Sequence, residues 1–494
     1  MTRQTVGLFV GIFLFLLMII LPVPNGLSPE AMRAGAVTLL MATWWMTEAI
    51  PIFATALVPL ALFPLMNVID AKTVAANYGH NYVLMLLAGF FIAKAIEIHG
   101  LHKRIALAII QRIGTSRRRL ILSFMIATAF LSMWIANVAV ALLMLPIGLA
   151  VITREETETK EKDGFGLALM LAIAYAASIG GTGTLIGTPP NMVFAGMVKS
   201  LYPLAPEISF FDWMLIGIPL VIIFLPITWL YLVKYHKIEG SFVGSGEVIE
   251  KEVQSLGTMS KAEKRVLIIF IITALGWVFR RGFTIDQMVI PGWASLLGVE
   301  DMVHDATVAV VAALAMFLIP SGKGTTRLLD WKSAESVPWG VPLIVGGGYS
   351  IAKGFSETGL ATWIGNELGF ISALPLILVL LLVVLFMTFI TEINSNTATA
   401  NIFLPVLATM AIAGQAHPFL LMIPGTFACS CAFMLPSGTG PNAVIFGSGR
   451  VSIPEMSRTG VWLNFISIVV VTLAMYLIAI PVFGITSGIP LWAK

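Results

Sequence analysis

The run Thr391-Glu392-Ile393-Asn394-Ser395-Asn396-Thr397-Ala398-Thr399-Ala400 sets one carboxylate, two amides and four hydroxyls in the middle of an apolar stretch spanning 372–412. Burying polar groups in a hydrocarbon setting costs several kcal/mol each unless every one finds a partner. Ser, Thr and Asn are also favoured helix N-caps, so one such run alone reads as a helix start. A second copy changes that reading. At a constant shift of 259, Ile92-Ala93-Lys94 matches Ile351-Ala352-Lys353, and Gly89, Gly100, Leu101, Asn137 and Pro146 match Gly348, Gly359, Leu360, Asn396 and Pro405. Further on, the shift is 251, pairing Gly187-Thr188-Pro189-Pro190-Asn191 with Gly438-Thr439-Gly440-Pro441-Asn442. The shortfall belongs to the charged loop 154–163, which the second half lacks. The chain is a duplication.

The surroundings say what was duplicated. Of 494 residues, 58% are hydrophobic and 11% charged, and the mean hydropathy is +0.94, outside the mixture of water-soluble domains. Apolar windows of about 20 residues, enough to cross a bilayer core, recur throughout. They predict an all-α polytopic membrane protein with about eleven spans, near 6–22, 34–48, 52–66, 82–98, 165–198, 210–233, 266–280, 304–320, 340–356, 417–448 and 460–482, plus two re-entrant hairpins at 120–151 and 372–412. The run Leu8 to Leu21 lacks a small-residue cleavage site and reads as a retained first helix.

Charge placement orients these spans. With Arg3 cytoplasmic, most of the 29 Lys and Arg fall inside, among them Arg117 to Arg119, Arg154, Lys160, Lys162, Lys323 and Arg450, while Arg33, Lys72, Lys199, Arg280, Arg281 and Lys494 fall outside. The positive-inside rule thus expects a cytoplasmic N-terminus and an external C-terminus. A single crossing at 120–151 would move Arg154, Lys160 and Lys162 outside, so that segment reads as re-entrant, with the polar stretch 236–264 as a cytoplasmic connector. Helix four then ends inside and its repeat partner outside, which makes the repeats inverted, a signature of alternating-access carriers.

Broken helices suggest the chemistry. Helix N-termini present free N–H groups to an anion, and unwound carbonyls and Asn oxygens suit a hard cation such as sodium. Neither tip carries Lys or Arg, so dipoles and co-bound cations must balance the anion, a reason to expect ion coupling. The chain resembles the divalent anion/sodium symporter family, which includes INDY-type dicarboxylate carriers and animal sodium-coupled citrate, dicarboxylate and sulfate carriers. The resemblance covers nearly the whole chain and rests on the paired tips and the Thr-Pro-Pro-Asn-like breaks.

It implies an elevator-type homodimer in the inner membrane. The scaffold would comprise 1–112 and 265–360, and the transport part 119–235 and 372–482, with the hairpins and helices five, six, ten and eleven in the latter. It further implies one sodium site at Ser132, Asn137 and Gly187, and another at Thr391, Asn394, Asn396 and Gly438. The anion would touch Asn137, Thr188, Ser395, Asn396, Thr397 and Thr439, with a C4 dicarboxylate such as succinate or malate as the leading substrate. Departures from the family pattern fall in three places: Ala136 and Val138 flank Asn137 where the family has Ser and Thr, and Gly440 stands where it has proline.

Other features read as structural. Cys429 and Cys431 lack redox or zinc spacing, and the six histidines form no His-Glu-x-x-His run. Lys94 and Lys353 read as snorkelling side chains, Glu48 as a helix boundary and Arg117-Arg118-Arg119 as a headgroup anchor. For Glu392, a role in proton coupling is the minor alternative. Nothing points to an enzyme, to ATP coupling or to nucleic acid. A sulfate carrier, an exchanger and an anion channel remain as alternatives.

Overall fold

The computed structural model describes residues 2–114, 116–159, 164–240, 245–285, 288–322, 324–369, 374–486 and 488–494. Lys160, Lys162 and Lys323, used above to orient the chain, lie outside the described residues. Helix dominates, and the only named strands among the described residues are Phe283–Ile285 and Met288–Ile290, an antiparallel pair with no counterpart in the sequence reading.

Eight helices among the described residues are long and apolar enough to cross a membrane: Arg3–Ile20, Ala71–Ile98, Asn137–Thr157, Gly164–Gly181, Phe210–Tyr235, Leu376–Ile393, Asn396–Ala413 and Ile453–Val482. Ile52–Leu65, Asp305–Leu318 and Phe419–Ala428 are apolar but shorter. The remaining expected spans are present as Pro29–Thr47, Lys261–Val278 and Gly340–Thr358, long enough but more polar or glycine-rich. Gly340–Thr358 buries most of its length against other helices, so a lipid-like composition is not required of it.

Both hairpins are present as helix pairs with short turns. Arg117–Ser132 and Asn137–Thr159 meet across residues 133–136. In the second half Leu376–Ile390 leads through a 3-10 turn, Thr391–Ile393, into Asn396–Ala413. Residues 372 and 373 of this hairpin lie outside the described part. Helices five and ten are each broken, Gly164–Gly181 from Pro189–Leu201 and Phe419–Ala428 from Gly440–Gly447. Prolines in the first turn of each second piece explain where the helix resumes, because a missing N–H costs nothing there.

The repeat also appears where the sequence reading placed no element. Gly100 and Gly359 both adopt left-handed backbone, with φ of 73° and 76°, and each turns its helix into a short one, Leu101–Ile113 and Leu360–Glu367. Only glycine enters this region without a steric penalty. The connector 236–264 is also partly helical, Ser245–Ser255, and is tied to Leu101–Ile113 through Lys103 and Glu252 at 2.8 Å. Within the arginine triplet, Arg117 turns inward to pair with buried Glu155, whereas Arg118 and Arg119 stay exposed, Arg118 Nε donating to the Ile238 carbonyl at 2.7 Å. Lys94 and Lys353 reach Glu97 and Glu357 on their own helices, each at 2.7 Å.

Candidate anion and sodium site

Four helices begin at one place. Asn137–Thr159 and Asn396–Ala413 start at the two hairpin tips, and Pro189–Leu201 and Gly440–Gly447 start at the two breaks. Between them lies a cavity of about 450 Å³. All six residues expected to touch the anion line it: Asn137, Thr188, Ser395, Asn396, Thr397 and Thr439. Gly187 and Gly438 line it too, and no charged side chain does among the described residues.

The N-cap explanation of these hydroxyls can now be tested. Ser28, Ser209, Ser260 and Ser452 accept hydrogen bonds from the first turns of their helices, as capping residues do. Thr188, Ser395 and Thr439 stand at the same position of theirs and make no such bond. Their helices therefore keep uncapped N–H groups, each terminus carrying roughly half a positive charge. Uncapped N–H groups beside a cavity can receive an anion.

Behind the cavity wall the two halves repeat one arrangement. Ser132 Oγ donates to Asn137 Oδ1 at 2.7 Å, and Thr391 Oγ1 lies at the same distance from Asn396 Oδ1. Thr391 Oγ1 is also 3.0 Å from the Cys429 carbonyl. Ser132 and Thr391 are fully buried, so each hydroxyl–amide pair is shielded on one side and meets the cavity through its amide. Glycine is required at the contacts. A Cβ at Gly181 would stand 2.6 Å from Asn137 Oδ1, one at Gly187 would collide with the Gly181 carbonyl, and one at Gly438 would stand 2.9 Å from Glu392 Oε2. Asn394 is buried, and its Oδ1 accepts the Ser395 N–H at 2.9 Å. The amide and carbonyl oxygens gathered around Asn137 and Asn396 are of the kind that suits sodium, a hard cation with oxygen ligands.

Residues outside the expected set hold the breaks open. Asn191 Nδ2 donates to the carbonyls of Gly181 and Thr184, at 3.1 and 2.7 Å. Asn442 Nδ2 does the same with Ala432 and Leu435, both at 3.0 Å. Every partner is related by the shift of 251. Glu392 breaks the symmetry, since its repeat equivalent is Met133. Its Oε1 accepts from Phe433 N, Met434 N and Asn464 Nδ2 at 2.7, 2.9 and 2.8 Å, and its Oε2 from Leu435 N at 3.1 Å. With four donors converging on it, Glu392 ties the second tip to the second break. Sequence reasoning also missed the cavity residues Phe90, Ile186, Pro338, Val341 and Ser437. Asn464, a lone amide in an apolar span, was a usable signal, whereas Phe90 and Val341 carried none.

A family profile described as the sodium:sulfate symporter transmembrane region matches residues 2–485. The sodium-dependent dicarboxylate transporter SdcS of Staphylococcus saprophyticus is 43% identical over 501 residues, covering 99% of this chain and 94% of that protein. SdcS of Staphylococcus aureus strain MRSA252 is 42% identical over 504 residues, covering 100% and 94%. Among solved structures, MtrF of Neisseria gonorrhoeae, described with a class of antimetabolite efflux pumps, superposes with a TM-score of 0.61 at 12% identity over 99% of this chain and 97% of MtrF. The YdaH transporter of Alcanivorax borkumensis gives 0.58 at 13% identity over 91% and 98%. At such identities these two share the fold.

Proposed function

The chain belongs to the sodium:sulfate symporter family, the divalent anion/sodium symporters, and from that premise we propose that it is a secondary carrier coupling sodium to uptake of a small dianion, a C4 dicarboxylate such as succinate or malate. The observation that carries this reading is the set of uncapping hydroxyls, Thr188, Ser395 and Thr439, facing one uncharged cavity with a hydroxyl–amide pair behind each tip. A dianion there meets only partial positive charges, which alone are weak compensation for its desolvation. Sodium at both clusters supplies the missing charge. By linkage, the anion then raises sodium affinity by the factor that sodium raises the anion's.

The transport part is 119–235 with 372–482, the scaffold 1–112 with 265–360, and the former slides past the latter within each protomer of a homodimer in the inner membrane. One contact supports an inward-facing conformation. Arg3, taken as cytoplasmic, donates to the Ile393 carbonyl at the second tip at 3.2 Å. Pro338 and Val341, at the cytoplasmic start of Gly340–Thr358 in the same orientation, line the cavity.

Reconstituted carrier should accumulate labelled succinate or malate only under an inward sodium gradient, and preloaded unlabelled substrate should drive labelled substrate uphill. Sulfate and citrate in the same panel decide between dianion classes. Accumulation indifferent to sodium would overturn the reading, and flux without counterflow would indicate a channel.

A further inference from the structure

Two of the three departures from the family pattern, far apart in sequence, meet in space. A Cβ at Gly440 would collide with Val138 Cγ2. Val138 lies in the first turn of Asn137–Thr159, Gly440 begins Gly440–Gly447, and both line the cavity. A β-branched valine in a helix holds one strongly preferred χ1 rotamer, whereas threonine divides between two, so the Val138 methyl cannot readily swing aside. Valine at 138 thus requires glycine at 440. At the repeat-related corner, the matching positions hold Thr397 and Pro189, which also line the cavity. One corner therefore combines a hydroxyl with a ring, and the other a branched hydrocarbon with bare backbone. With Ala136, Phe90, Ile186 and Val341, Val138 forms an apolar wall, while Ser395, Thr397 and Thr439 supply hydroxyls.

We propose that Val138 and Gly440 are a specificity-determining pair, whose close contact sets the space for the carbon chain of the dianion and disfavours chains longer or more branched than four carbons. This rests on the dicarboxylate reading above. The carboxylates are held by the hydroxyls and helix N-termini, and the methylenes pack on the Val138 isopropyl group.

The test measures KM and kcat for succinate and glutarate at saturating sodium in reconstituted wild type, Gly440→Ala, Val138→Ala, the Val138→Ala/Gly440→Ala double variant and Val138→Thr/Gly440→Ala. One methylene is worth about tenfold or more in a fitted apolar pocket. Val138→Ala should therefore raise the glutarate-to-succinate ratio of kcat/KM by at least about fivefold. Gly440→Ala alone should lower succinate kcat/KM by about tenfold through overpacking. The double variant should recover to within about threefold of Val138→Ala, the loss being non-additive because the clash is gone. Val138→Thr/Gly440→Ala should recover in part, since threonine has a second rotamer. Multiplying losses in the double variant, or an unchanged substrate ratio in Val138→Ala, would overturn the proposal. If Gly440→Ala does not fold, the ratio in Val138→Ala decides alone. Failure of the dicarboxylate reading looks different, as wild type would then show no sodium-driven uptake of either acid.

Discussion

Asn137 and Asn396 each place an amide oxygen where a buried hydroxyl donates and the cavity begins, and their surroundings match although one follows Ala136 and the other Ser395. The proposed sodium sites thus share their anchoring amides and differ in their neighbours. A hydrogen bond to a charged group contributes about 1.5 to 3 kcal/mol, and loss of one oxygen ligand to a cation is comparable in kind. Asn137→Ala and Asn396→Ala should each raise the sodium concentration for half-maximal uptake by about ten- to a hundredfold. Sodium titrations of dicarboxylate uptake in proteoliposomes measure this, and unchanged titrations in both variants would sink the paired-cation mechanism. These asparagines were legible because the repeat puts them in register. Glu392 was visible only as an acid in an apolar stretch, since its repeat partner is Met133 and its four donors come from backbone and helix distant in sequence.

A helix break survives in an apolar interior only if its freed backbone groups find partners. Asn191 and Asn442 each satisfy two carbonyls across such a break, at 2.7 to 3.1 Å, from the first turn of the resumed helix. The amide explains why the motif ends in Asn in both halves. Asn191→Ala leaves the Gly181 and Thr184 carbonyls without that donor, a cost of about 1 to 3 kcal/mol, and Asn442→Ala should cost the same at Ala432 and Leu435. Thermal unfolding in detergent should show a lowered midpoint for each, with weaker sodium protection. A midpoint at the wild-type value would mean that the clamps do not hold the breaks. Both breaks were legible because Gly and Pro punctuate an apolar run. The short helices after Gly100 and Gly359 were not, because Leu101–Ile113 reads as a cluster of basic residues, and its buried face of Leu101, Ala106, Leu107 and Ile110 is apparent only once the helix is known. The span expected at 340–356 is present as Gly340–Thr358, although most of its neighbours are protein rather than lipid.

Across the whole molecule, the proposed sliding of one body past the other has a mechanical consequence at the face opposite Arg3. Glu207 lies between Pro189–Leu201 and Phe210–Tyr235, in the part proposed to move, while Arg280, Arg281, His304 and Asp305 lie between Lys261–Val278 and Asp305–Leu318 or at their ends, in the proposed scaffold. Arg280, 1% exposed, joins Glu207 at 2.6 Å to Asp305 at 2.5 Å, and Glu207 also meets Arg281 at 2.5 Å and His304 at 3.3 Å. Asp305 accepts the Phe210 N–H at 2.7 Å. Below this cluster Phe210 stacks on Trp277 at 4.3 Å, and Trp134 at the first tip meets Phe270 edge-on at 4.9 Å. Apart from Arg280–Asp305, which lies within the proposed scaffold, these contacts cross from one proposed body to the other, so an outward displacement must break them together. Breaking a buried ion pair is costly because it strands a charge, so the cluster favours the conformation seen here. Glu207→Gln removes charge from the moving side and leaves Arg280 paired with Asp305, which lowers that preference without stranding the arginine. The native cysteines, Cys429 and Cys431, are buried and should label slowly, which makes Ala136→Cys a reporter of the cavity. Impermeant maleimide added outside right-side-out vesicles should label Ala136→Cys at least about threefold faster when Glu207→Gln is also present, because a shift of about 0.7 kcal/mol in a two-state equilibrium changes a minor population by that factor. Labelling from the cytoplasmic side of inverted vesicles should slow or hold. Equal outside labelling with and without Glu207→Gln would mean that the charged cluster does not bias the two states. It would then be a static brace, and the sliding surface would have to be sought along Gly348 and Tyr349, which lie against Asn401 and Gly196 of the part proposed to move.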